Sequence, residues 1–544
     1  MGDKNQPTNG DPRLVSHDFT ASNEAPAPPW ASPVGAITCH AGTPNYGQVT
    51  VVLEPTVEVH PGELLAVWHG ARGKRLLTVV QVVDCQEINP SESPELQTAR
   101  NALGLSSNYG AEGSSTRIFR VAECDTVDEY TLADGEELQI LASSAPETLT
   151  RAGDVVIKAP DEIRYQALGI LKDKSAGVHI GDLYDREPLP VTIAPASFQL
   201  HTLVTGNPGR GKSYLAGVLL EEAKSWDVPT LVVDLHGEFA PAAQELGGKV
   251  IRLPDPEQFG LTLDLLTSAE LVHIAPNVQQ GTQYAELIEI AHERLKGRDG
   301  PMEFDHLIEE IQRAGEALKT GNSSIGAAKK RIRELSRDKL MARRFDFIEE
   351  IKEHRLVVLD CRFVSIRQVQ LIAAAAARTL QRYGRNQAMK AERGDEEASK
   401  WFALLFLDEA HMVAPNDGKT VSSQVLRELA RMGRHARTGM VVASQSPADL
   451  DTSLLKRMQT RYIFALEKDQ LRSISGVTTD LSDDLLATLP KLPVGTCAVS
   501  GSKDVVGHGF LIKVRQRQTA VRGGTPPIFG TRTKKMPIQE ADNG

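Results

Sequence analysis

Apolar positions along this chain change rhythm twice. From Val34 to about Ile157 they come in short β-type runs: Val34–Cys39, Gly47–Leu53, Leu64–Trp68, Leu76–Val83, Ile118–Val121, Leu138–Leu141 and Asp154–Ile157. Turn formers such as His60-Pro61-Gly62 and Arg72-Gly73-Lys74 separate them, with no helical periodicity between. Strands at that spacing predict a small closed β-barrel over residues 31–165. The polar, Gly/Ser-rich stretch Pro90–Ser115 reads as a long loop inserted between barrel strands.

A connection that includes Gly177–Leu189 follows, and then the rhythm becomes strand alternating with helix. The expected strands are Thr202–Val204, Thr230–Asp234, Leu356–Asp360, Ala403–Asp408, Met440–Ser444 and Arg461–Leu466. This alternation predicts an α/β core with a mainly parallel sheet over residues 166–515. Between about Leu261 and Glu353 the chain is charged and helical in pattern, which predicts a helical insertion outside the sheet. Residues 1–30, rich in Pro, Asn, Asp and Ala, read as a disordered tail, and 516–544, basic and Gly/Pro-rich, as an extended one.

Composition narrows the classes. At 544 residues two or three domains are expected. The net charge of −10 confines any nucleic-acid contact to one face or a channel. No apolar run reaches the length of a membrane span, and the polar N-terminus has no signal-peptide pattern. Five scattered cysteines without a C-x-x-C pair read as reduced thiols, so a cytoplasmic protein is expected.

The chemistry begins at Gly206-Asn207-Pro208-Gly209-Arg210-Gly211-Lys212-Ser213, a full G-x-x-x-x-G-K-[ST] match between a strand and the helical Tyr214–Leu220 pattern. Gly206, Gly209 and Gly211 let the backbone curl so that N–H groups face phosphates, with Arg210 and Tyr214 beside them. Lys212 brings a point charge to the β- and γ-phosphates of ATP, and the Ser213 hydroxyl is a Mg²⁺ ligand. A second element, Leu404–His411, is an apolar strand ending in Asp408-Glu409. Asp408 is the other metal-supporting residue, and Glu409 is placed to polarise the attacking water. Two weaker elements end neighbouring strands. They are Asp234–Phe239, with Asp234 a nucleotide-site candidate, and Ser444–Pro447, where the Gln445 amide suits γ-phosphate.

Together these segments resemble the HerA family of hexameric DNA-translocating ATPases, within the wider HerA/FtsK group of P-loop motors. The family's D-x-H-G-E-[YF] stands as DLHGEF from Asp234, its LxxDEAH as Leu405–His411, its S-Q-x-P as Ser444–Pro447 and its R-x-G-R as Arg431–Arg434. The β-rich N-terminal region is similar to the barrel that the family shares with ATP-synthase subunits. Two departures stand out: NPGRGKS replaces the frequent TGSGKS, and Leu200 stands before His201 where an Arg is frequent.

The resemblance implies a RecA-like core and a homo-hexameric ring that passes DNA through its pore. It also implies a partner nuclease of NurA type, or another effector in antiphage defence, docked on the barrel face. It favours Arg434 as the finger acting on a neighbour's ATP, with Arg431, Arg437, Arg457 and Arg461 the other candidates. The same arginines also suit a solvated or DNA-facing helix surface. The cluster Lys329-Lys330-Arg331, Arg333, Arg337, Lys339, Arg343 and Arg344 suits either a pore lining or a solvated helix face. The competing class is a scaffold, an ATP-binding ring that assembles and activates an effector with little translocation. A secretion-type ATPase fits less well without a membrane segment, and a small-molecule kinase has no use for DEAH or the barrel.

Overall fold

A computed structural model describes residues 30–39, 44–54, 56–71, 73–88, 119–135, 137–297, 302–341, 344–418 and 420–520. The residues before Trp30, the Pro90–Ser115 stretch and residues 521–544 lie outside these. The chain divides into two compact units, Met1–Pro160 and Asp161–Gly544. Residues 161–165, expected in the barrel, belong to the second unit and begin the helix Asp161–Leu168.

The first unit has strands β1 (Pro33–Thr38), β2 (Gln48–Leu53), β3 (Leu64–Ala71), β4 (Lys74–Ile88), β5 (Phe119–Leu132), β6 (Ile140–Ser144) and β7 (Val155–Lys158). The order β2-β1-β7-β3-β4-β5, with β5 also pairing β2, closes six antiparallel strands into a barrel, and β6 hangs on β5. Alternate residues point inward, so Val51, Leu65, Val67, Val80, Val82, Ala122 and Val156 form its core. β4 and β5 run well past the expected Leu76–Val83 and Ile118–Val121. Glu123, Asp125 and Asp128 take less buried positions of β5 while Cys124, Val127 and Tyr130 turn inward, and that acidic content hides the strand in the sequence.

The second unit carries β8 (Val178–Leu183), β9 (Pro190–Ile193), β10 (Thr202–Thr205), helix α1 (Lys212–Ser225), β11 (Thr230–Asp234) and β12 (Lys249–Arg252). Helices α2 (Gln283–Lys296), α3 (Phe304–Ala317) and α4 (Asn322–Leu335) form the insertion. Then come β13 (Leu356–Asp360), α5 (Ile366–Glu392), β14 (Ala403–Leu407), α6 (Val421–Met432), β15 (Thr438–Ser444), β16 (Thr460–Ile463), β17 (Thr496–Gly501) and β18 (Phe510–Val514). One sheet runs β12-β13-β11-β14-β15-β10-β16-β17-β18-β8-β9. It is parallel from β12 to β16 and antiparallel from β16 to β9.

This is the α/β, RecA-like arrangement with its helical insertion and preceding barrel. The central strands are apolar on both faces because helices cover both, and β11, β13, β14 and β15 are buried along their whole length. From β10 the chain crosses through α1 to β11, leaving room for β14 and β15 between them, while β16 lies on the other side of β10. That reversal opens a crevice beyond the C-terminal ends of β10, β14 and β15. The insertion has its own apolar packing, with Leu287, Ile288, Leu307, Ile311, Ile325 and Ile332 buried and continuous with the main core.

Candidate phosphate site at the C-terminal edge of the parallel sheet

Residues 206–211 lead from β10 into α1. A Cβ at Gly206 would stand 2.4 Å from the Phe464 Cβ, so only glycine lets the loop turn back against β16. Gly211, at φ +119, occupies a conformation that side chains rarely adopt, and it gives α1 no side-chain cap. The first N–H groups of α1 are thereby left to an anion from outside the helix.

Lys212 opens α1 and is only 7% exposed. It forms no salt bridge among the described residues, although Glu409, Asp408 and Glu238 all act on its charge. Burial pushes its ammonium below the ordinary lysine value against the pull of those three carboxylates. A buried cation without a contact partner beside uncapped helix N–H groups is a cradle for a polyphosphate.

Asp408 and Glu409 leave β14 on the same edge, and both are buried. The Asp408 N–H donates to the Val233 carbonyl (3.1 Å), tying this end to β11. Glu409 sits at φ 42 and ψ 51, a left-handed conformation uncommon for a non-glycine residue. Its carboxylate is held there from two sides. The Gln445 side-chain amide donates to Oε1 and the Gln445 N–H approaches Oε2 (3.4 Å), while His411 Nδ1 lies 3.4 Å from Oε2 and 3.2 Å from Ser444 Oγ. Gln445, expected at γ-phosphate, thus contacts Glu409 directly.

The DLHGEF segment is a backbone device. Asp234 was expected at the nucleotide, but it is wholly buried and its carboxylate accepts the N–H groups of His236, Gly237, Glu238 and Phe239 at 2.7–3.2 Å. Its lone pairs are occupied in folding the loop, which corrects that expectation. Burial first, then the Asp408 charge, push its carboxyl up to about 7, against the pull of the Phe239 and Gly237 N–H groups. The folded loop presents His236, whose Nδ1 is 3.4 Å from Asp408 Oδ2. That hydrogen bond holds the imidazole up to about 9, so it is cationic at neutral pH.

Donor atoms of His236, Asp408 and Glu409 lie within 4.8 Å of one another. Mg²⁺ selects oxygen donors, so the Asp408 carboxylate and the Ser213 hydroxyl at the start of α1 fit it, and the His236 nitrogen fits the role of orienting Asp408.

The other expected residues are placed as follows. Gly209 is open to space, and the Arg210 carbonyl accepts the Gly495 N–H (3.0 Å). The Tyr214 hydroxyl, expected at the nucleotide, accepts the Arg517 N–H (2.7 Å). Of the finger candidates, Arg437 is tied to the Ala398 and Ser399 carbonyls, Arg461 is buried in β16, and Arg431 and Arg457 are exposed. The Arg434 backbone lies in the 3₁₀ turn Gly433–Ala436, and its side chain falls outside the described residues.

The basic cluster is divided. Lys329 donates to Gln312, Lys330 pairs with Glu334, Arg344 pairs with Asp264, and Arg331 stacks on Tyr284 at 4.3 Å. Arg333, Arg337 and Lys339 are exposed, and Arg343 lies outside the described residues. Sequence reasoning missed His236, His411 and Glu238 as site groups, although all three stand inside the quoted motifs. Among the described residues no helix is long and apolar enough to cross a membrane.

Residues 178–380 match the family model described as Helicase HerA, central domain. The chain is 23% identical over 373 residues to a probable helicase of Methanocaldococcus jannaschii, covering 66% of this chain and 70% of that protein. It is 24% identical over 371 residues to the DNA double-strand break repair helicase HerA of Sulfolobus acidocaldarius, covering 65% and 72%. Among solved structures, VirB4 of Thermoanaerobacter pseudethanolicus superposes with a TM-score of 0.45 at 16% identity, covering 63% of this chain and 97% of that one.

Proposed function

We propose that this chain is a HerA-type P-loop motor ATPase and acts as a hexameric DNA translocase working with a partner nuclease or other effector in DNA processing or antiphage defence. ATP is its substrate. The observation that carries the reading is Lys212, a buried cation with no salt-bridge partner among the described residues, on whose charge the Glu409, Asp408 and Glu238 carboxylates act beside the loop of residues 206–211.

In this reading the N–H groups of the loop and α1, with Lys212, bind and orient the phosphates. Ser213 and Asp408 would hold Mg²⁺, which when bound would supply charge neutralisation at the phosphates, and His236 would orient the Asp408 carboxylate. Glu409, fixed by Gln445 and His411, polarises the attacking water. The Gln445 amide is placed to exchange Glu409 for γ-phosphate when the substrate enters. Arg434 of a neighbouring copy completes the site, and DNA passes through the ring. The barrel offers the docking face for the partner nuclease.

The test is the ATPase rate at fixed low salt, with and without linear double-stranded DNA, for wild type and Glu409→Gln. DNA is expected to stimulate the wild type, and the variant to lose at least about 100-fold in turnover while still binding nucleotide. Turnover that ignores DNA would replace the translocase with an ATP-dependent scaffold. A variant that turns over normally would remove Glu409 from its role.

A further inference from the structure

We infer that the loop between β13 and α5, residues 361–365, together with the first turn of α5, is a contact point for a polynucleotide strand, mechanically joined to the hydrolysis centre. The inference rests on the translocase reading and adds the residues that would touch DNA. Phe363 is 72% exposed, the most exposed of the large hydrophobic side chains among the described residues. A bare aromatic ring is what single-stranded nucleic acid stacks upon. The Arg362 guanidinium lies 5.5 Å from that ring, and Arg367 is exposed on the first turn of α5.

More charge arrives from the insertion. Gln368 donates to Asp338 (3.0 Å), which brings the segment with exposed Arg337 and Lys339 against the start of α5. Among the described residues Arg337, Lys339 and Arg367 form no salt bridge. The nearby carboxylates are engaged: Asp338 by Gln368 and the Leu340 N–H, Asp360 by Arg362. The middle of the basic run noted in the sequence therefore lies against the start of α5, next to the loop that exposes Phe363.

The loop also connects inward. Cys361 N–H donates to the Asp234 carbonyl (2.8 Å), so β13 and β11 end in register. Arg362, gripped by Asp360 through Nε at 2.9 Å and Nη2 at 2.6 Å, packs on Gly237, where an added Cβ would be 2.3 Å from Nε. Gly237 is next to His236, and His236 is 3.4 Å from Asp408. Displacement of Phe363 by a bound strand thus reaches the Asp408 carboxylate through Arg362, Gly237 and His236. This is a physical route for stimulation of hydrolysis by DNA.

The experiment uses the full chain, fluorescein-labelled oligo-dT and a labelled linear duplex in parallel, and reads affinity, ATPase stimulation and assembled mass for wild type, Phe363→Ala, Phe363→Trp and Arg337→Ala/Lys339→Ala. Phe363→Ala is expected to weaken oligo-dT binding by about 5- to 100-fold, the range of one base–aromatic stack. It should raise the DNA concentration needed for half-stimulation by a similar factor, with DNA-free turnover and assembled mass unchanged. Phe363→Trp should restore binding. The double variant should lower the salt dependence by about 1 to 2 log units per log unit of salt. Wild type that binds DNA with Phe363→Ala as its equal overturns this inference alone, and wild type that binds no DNA overturns the translocase reading with it. Loss of assembled mass in Phe363→Ala would assign the ring to contact between copies and also overturn it.

Discussion

His201 ties the start of the strand that leads into the 206–211 loop to its neighbour in the sheet. It precedes β10 in a left-handed conformation (φ 59), is 2% exposed, and its Nδ1 accepts the Met440 N–H of β15 (3.1 Å). Burial lowers its pKa from 6.5 to about 4. The unfolded chain therefore takes up this proton first as pH falls. The stability due to a neutral His201 is full above about pH 6.5 and is lost progressively toward pH 4, by on the order of 3 kcal/mol. Urea midpoints of wild type between pH 7 and 4 should fall more steeply than those of His201→Gln, and parallel slopes would contradict this. Residue positions were legible where a motif dictates backbone geometry, as at Gly206, Lys212 and Glu409, which all lie at the C-terminal edge of the parallel sheet. Roles were not legible where a polar side chain has two kinds of partner. Asp234 and His236 stand two residues apart in one motif, yet the first folds the loop and the second meets Asp408, which only the turn between them decides.

At the scale of elements, the segment after β18 is the clearest departure from the sequence pattern. A tail was expected from residue 516, but residues 515–520 are bound along α1. The Glu221 carboxylate accepts from Arg515 (2.8 Å), from the Gln518 and Thr519 N–H groups (2.8 Å each) and from the Thr519 hydroxyl (2.7 Å). Arg517 lies over Gly217, with the Ser213 carbonyl 3.4 Å from its Nη1, so the segment braces the helix that begins at the phosphate cradle. These contacts join residues some three hundred positions apart, and no local periodicity carries them. Glu221 and Arg517 side chains are 3% and 2% exposed. Glu221→Ala should cost about 3–5 kcal/mol by leaving buried cations uncompensated, and Glu221→Gln distinctly less. A thermal midpoint for Glu221→Ala equal to wild type would contradict the brace. The inner parallel strands were readable because they are short, apolar and bounded by turns. β8, β9, β17 and β18 were not, since their antiparallel pairing extends the sheet through segments that read as connections.

For the whole molecule, the net charge of −10 excludes a uniformly basic surface, so the proposed DNA contact has to be local. The architecture suits that division. One sheet edge carries the exposed Phe363 loop, the His236–Asp408 contact, the Glu409–Gln445 contact and the 206–211 loop, at the ends of β13, β11, β14, β15 and β10 in turn. The barrel forms a separate compact unit with its own core. Fold class was legible from the change of hydrophobic rhythm, because a barrel and a parallel sheet bury alternate and continuous apolar runs respectively. The assembled state is a property of surfaces that a single chain's pattern does not rank.

The central claim is that ATP turnover moves this protein along DNA. The most direct measurement is displacement of a triplex-forming strand from a linear duplex, followed with ATP, without ATP, and with Glu409→Gln. ATP-dependent displacement by wild type, absent in the variant and without nucleotide, is the predicted result. Vigorous ATP hydrolysis by wild type in the presence of DNA, with the triplex left in place, would contradict it.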